Sequence, residues 1–64
     1  MTKQYEGMRV YVVSLDGAKT PARLVGVLEG SAVVKYSHMT GLFTYDRSIV
    51  IDEQGDTLEY YKED

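Results

Sequence analysis

Turn-forming residues interrupt this chain at intervals of no more than about eleven residues, a spacing that leaves room only for short extended segments. The interruptions are Gly7, Asp16-Gly17, Thr20-Pro21, Glu29-Gly30-Ser31, Thr40-Gly41, Asp46-Arg47-Ser48 and Glu53-Gln54-Gly55-Asp56. Between them stand the runs 8–15, 22–28, 32–37, 42–45, 49–51 and 57–61. The first run fits two templates. Met8, Val10 and Val12 alternate as on a strand, whereas Met8, Tyr11, Val12 and Leu15 would make a helical stripe. Valine loses rotamer freedom in a helix and packs well on a pleated surface. With Val10, Val12, Val13 and Tyr11 in one run, the strand is the expected state. No run is long and amphipathic enough to stand as a helix. The expected class is all-β.

Size then limits the core. A chain of 64 residues buries only ~60% of the surface that its unfolded form exposes, so most large apolar side chains are needed inside. Strand alternation selects Val10, Val12, Val25, Val27, Val34, Tyr36, Phe43, Ile49, Ile51 and Leu58 as the core. Gly26 in mid-strand points to a bulge or sharp bend. Pro21 belongs at the entrance of the second strand, where its missing donor does no harm. Asp46-Arg47-Ser48 is short enough to be one helical turn. The Glu53–Asp56 turn closes a C-terminal hairpin. Residues 1–64 read as one domain, with 1–6 and 62–64 flexible.

The net charge of −3 hides a segregation. Residues 1–51 hold Lys3, Arg9, Lys19, Arg23, Lys35 and Arg47 against Glu6, Asp16, Glu29 and Asp46, a balance of +2. Residues 52–64 hold Asp52, Glu53, Asp56, Glu59, Glu63 and Asp64 against Lys62, a balance of −5. The absence of cysteine excludes disulfides and thiolate chemistry. A single histidine, His38, offers no imidazole-rich metal site. Neither a calcium loop nor a phosphate-cradling glycine loop is spelled out. Ser37, His38 and Asp46 hold the residue types of a hydrolase triad, but a triad is defined by mutual orientation, and adjacent serine and histidine in a turn do not supply it. The expectation is a chain without catalytic residues, metal or cofactor. No apolar run reaches the ~18 residues of a membrane span, and the opening Met1–Glu6 lacks the apolar stretch of a secretory signal, so a cytoplasmic location is expected.

Taken in order, Gly7, the alternating Ala22-Arg23-Leu24-Val25-Gly26-Val27, the tyrosine-ended Val33-Val34-Lys35-Tyr36, Gly41, Phe43-Thr44-Tyr45 and the turn Asp46-Arg47-Ser48 before Ile49-Val50 form a pattern. Over residues 7–51 it resembles a small Src-homology-3-like barrel of five or six strands, in its Tudor and KOW-type versions. The resemblance implies that fold. For a Tudor-type activity it implies an aromatic cage, for which Tyr36, Phe43 and Tyr45 stand near the matching places. For a KOW-type activity it implies RNA binding.

The leading functional expectation is a non-catalytic module that docks on a larger protein, as an adaptor or a small inhibitor. The chain is similar in style to phage-encoded accessory proteins that block host machinery. The expected contact surface is Tyr11 and Tyr61 with the acidic Asp52, Glu53, Asp56 and Glu59, since tyrosine buries area at interfaces at little entropic cost. Its partner would carry a basic or nucleic-acid-binding surface. The alternative is direct binding of RNA or DNA through Arg9, Arg23, Lys35 and Arg47, with Tyr11 or Tyr45 as a stacking platform. A second alternative is a self-associating structural subunit joined by edge strands.

Overall fold

The computed structural model describes residues 5–63. Of the termini expected to be flexible, residues 1–4 and 64 lie outside the described residues. Within them, Tyr5 is half-buried and sets its ring edge-on to Tyr61, with centroids 5.3 Å apart. The chain is all-β. Five antiparallel strands form one sheet: β1 (Arg9–Val13), β2 (Lys19–Leu28), β3 (Ser31–Lys35), β4 (Phe43–Asp46) and β5 (Val50–Ile51), in the order β4-β3-β2-β1-β5. A 3-10 turn, Arg47–Ile49, joins β4 to β5, and a second, Leu58–Tyr60, follows β5. Among the described residues no helix is long and apolar enough to cross a membrane.

Local chemistry explains the turns. The tip between β1 and β2 is tied by Asp16, whose Oδ1 accepts the Ser14 hydroxyl and, at 3.1 Å, the Ala18 amide. Asp46 caps the first 3-10 turn by accepting from the Ser48 amide at 2.9 Å and the Ser48 hydroxyl at 2.8 Å. Gly30 reverses the chain between β2 and β3 at φ +74°, a region open to glycine at no steric cost.

The buried set is Val10, Val12, Ala22, Leu24, Val27, Ala32, Val34, Tyr36, Val50 and Leu58. Four expected core positions need correction. Val25 and Ile51 are half-buried, Phe43 packs against the core from its margin, and Ile49 is exposed. On β2 the cause is the bulge at Gly26. The β2–β3 register runs Leu24↔Val34 and then Gly26↔Val33, so Val25 is the extra residue. Parity shifts by one across it, and Leu24 faces inward together with Val27. On β5 the 3-10 turn takes in Ile49, so the strand begins one residue later than expected, with Val50 buried and Ile51 half-buried.

Pro21 also departs from expectation. β2 begins at Lys19, and Pro21 lies within it opposite Tyr11. The returning arm after Asp56 is not a strand. One isolated bridge, Ile51↔Thr57, precedes the second 3-10 turn. Its period of three puts Leu58 and Tyr61 on the same inward side and turns Tyr60 outward. Leu58 is fully buried, whereas Tyr60 is 91% exposed.

Candidate functional site

The outward face of the sheet collects most of the cations. Because Val10, Val12, Ala22 and Val34 point inward, their neighbours Arg9, Tyr11, Pro21, Arg23 and Lys35 point outward. Strand pairing then aligns three of them. Arg9 stands opposite Arg23 on β2, and Arg23 stands opposite Lys35 on β3. The outcome is a row of three positive side chains crossing β1, β2 and β3. Lys19 lies further along the same face, opposite Val13. Arg23 donates to the Gly7 carbonyl at 3.1 Å. Among the described residues neither Arg9 nor Lys35 has an ion-pair partner. Like charges directly opposite one another destabilise a sheet; at the β5 end of the row Arg9 borders a depression of about 300 Å³ that it shares with Asp52 and Glu53.

Arg47, expected on the same face, lies elsewhere. It sits in the first 3-10 turn, and its guanidinium is turned to backbone carbonyls. It donates to Leu58 at 2.9 Å, Glu59 at 3.1 Å and Leu28 at 3.4 Å, and also to the Tyr61 carbonyl. The planar five-donor fork of arginine suits such a cluster. Arg47 is a clamp on the C-terminal segment, a role without a sequence signal because its partners are main-chain atoms eleven or more residues away.

The expected acidic contact surface is divided. Asp52 is buried, at 7% exposure. Its Oδ1 accepts the amides of Gln54 at 2.9 Å and Asp56 at 3.0 Å, and its Oδ2 accepts the Tyr61 hydroxyl at 2.6 Å. That hydroxyl, with help from the turn amides, holds the Asp52 carboxyl below the usual carboxylate range despite its burial. The same bond to the carboxylate pushes the Tyr61 phenol up to about 12. Both residues are therefore engaged within the fold, which corrects the expectation that they face outward. Glu53, Asp56 and Glu59 are exposed. Tyr11 is half-buried on the cationic face.

A separate groove of about 930 Å³ runs between the β1–β2 tip and the first 3-10 turn. Its apolar wall includes Val13, Ile49 and Ile51, and Leu15 stands at the rim fully in solvent. Tyr36 and Tyr45 line it too, with hydroxyls 2.7 Å apart. Burial and that hydroxyl pairing push the Tyr36 phenol up to about 12. Phe43 stacks edge-on to Tyr36 at 5.4 Å and does not line the groove.

His38 lies in the turn after β3 with its ring 6.3 Å from that of Tyr36. Among the described residues it has no hydrogen bond to Ser37, and the Asp46 carboxylate serves Ser48. The structure does not bring those three together as a triad. Among the described residues no three His, Cys, Asp or Glu side chains converge as a metal site. No protein-family model, curated protein or solved structure matches the chain.

Proposed function

We propose that this chain is a non-catalytic binding module that holds a polyanion, with nucleic acid as the fitting chemistry, on the outward face of a curled, SH3-like sheet. One observation carries the reading: the register places Arg9, Arg23 and Lys35 side by side with no acidic residue in the row. A row of like charges costs stability when bare and is relieved when an anion covers it.

The barrel form of the sheet is part of the proposal, and the reach of the chain supports it. A flat sheet of five strands has edges ~19 Å apart, from four spacings of ~4.8 Å. The edge strands β4 and β5 are separated by only the three residues Arg47–Ile49. Even fully extended, the step from Asp46 to Val50 spans at most ~14 Å, and less as a 3-10 turn. The sheet must curl for its edges to approach.

A second reading, docking on a larger protein as an adaptor or inhibitor, is favoured by Leu15. A turn braced by Asp16 presents it to solvent beside an apolar groove.

The polyanion reading is tested by titrating the protein with heparin and with oligonucleotides over a salt series. Affinity should fall with salt, with a log–log slope of about −2 for three phosphates of a single strand. Arg9→Gln and Lys35→Gln should each flatten that slope. An absence of binding, or binding indifferent to salt, would contradict the proposal.

A further inference from the structure

Beside the cation row lies a row of different chemistry. At the next outward position, pairing sets Ile51 beside Tyr11 on one flank and Pro21 beside it on the other. Outward positions recur every second residue, so the two rows run parallel about 6.7 Å apart. One is cationic, the other apolar with an aromatic ring at its centre. A depression of about 440 Å³ opens beside Tyr11, lined by Ile51, Lys19 and residues 52–55. A smaller one of about 120 Å³ lies among Arg9, Arg23, Pro21 and Ser37.

We infer that this face takes single-stranded nucleic acid, with phosphates along Arg9, Arg23 and Lys35 and a base laid on Tyr11 between Pro21 and Ile51. The inference rests on the polyanion reading and adds to it which strand form is held and how. Adjacent charged and aromatic rows match a ligand whose charges and flat apolar faces are joined at short range. An unpaired strand has that constitution, since each base exposes a π-face close to its phosphate. A duplex hides those faces in its stack, and reading it needs a helix or ribbon inserted into a groove. This face is a pleated surface. An acidic peptide would satisfy the cations but would leave the Tyr11 row unused. Asp52 and Glu53 line the larger depression and, with Arg9, another beside it, so they repel phosphate at the β5 end of the row and direct the backbone toward Arg23 and Lys35 on β2 and β3.

Four probes distinguish the outcomes by fluorescence anisotropy: oligothymidylate, a duplex of the same length, an abasic strand of the same length, and polyglutamate. Oligothymidylate should bind most tightly. Tyr11→Val, which keeps a strand-forming residue, should weaken oligothymidylate about 5- to 150-fold while leaving the abasic strand and the salt slope unchanged. Tyr11→Phe should bind as the parent does, because stacking needs only the ring. Thermal melting of both variants confirms folding. Duplex binding as tight as single-strand binding, or equal affinities for the thymidylate and abasic strands, would overturn this inference while leaving the polyanion reading intact. So would a Tyr11→Val variant without effect, or a Tyr11→Phe variant as weak as Tyr11→Val. If no probe binds, both fall.

Discussion

Asp52 and Tyr61 form the most consequential residue pair for stability. The carboxylate accepts two turn amides and one phenol, so removing any partner leaves a buried acceptor short. The Asp52 carboxyl titrates lower in the folded chain than in the unfolded one. The unfolded state therefore takes up its proton first on acidification. This contribution is complete above the ordinary aspartate value of ~3.9 and is lost as pH falls below it, through the folded value. Tyr61 behaves in the opposite sense. Its folded value is raised from 10.0 to about 12, so its contribution is complete below 10 and is lost as pH rises toward 12. Tyr36 has the same direction and range. Tyr61→Phe should cost about 1–3 kcal/mol at neutral pH and weaken the pH dependence of stability at both ends. Denaturant unfolding across a pH series checks this, and a Tyr61→Phe profile parallel to that of the parent would contradict it. That Asp52 would serve its own turn was legible from the turn residues around it, since turn aspartates bond nearby backbone. Its second partner was not. Alternation assigns Tyr60 and Tyr61 to opposite faces without saying which is inside, and the 3-10 turn decides it.

At the scale of elements, the bulge at Gly26 governs the core. It lets a ten-residue strand serve two partners with different parities. Leu24 is buried at 1% exposure, whereas its neighbour Val25, the inserted residue, is half-buried. Leu24→Ala should therefore cost about 2–5 kcal/mol, and Val25→Ala under about 1 kcal/mol. Equal costs measured by chemical denaturation would mean that the parity shift is misplaced. The strands themselves were readable, because valine-rich runs between glycines and turn acids have few other states. The bulge was readable from Gly26, but its exact residue was not, since either neighbour of the glycine can be the extra one. The last expected strand failed for a different reason. Thr57–Tyr61 alternates acceptably, but Arg47 holds the carbonyls of Leu58, Glu59 and Tyr61 that a strand would offer to a neighbour.

Over the whole molecule, chemistry is divided among surfaces. The sheet's outward face is cationic and aromatic, with Glu53 at its β5 margin, and the groove beside Leu15 is apolar. Net charge conceals this division, because the acidic segment outweighs the basic face in the sum. Each cation was visible in the sequence. Their grouping on one face was expected, with Arg47 among them; their side-by-side alignment was not legible, because it depends on the pairing of β1 with β2 and of β2 with β3, which turn geometry sets. Parity put Arg9 with Tyr11, and register added Arg23 and Lys35 but left Arg47 out. The face built by this register is the proposed binding surface. Amide chemical-shift mapping during titration with oligothymidylate tests it most directly. The largest shifts are expected at Arg9, Tyr11, Arg23 and Lys35. Shifts confined to Leu15, Ser48 and Ile49, with those four unmoved, would contradict it.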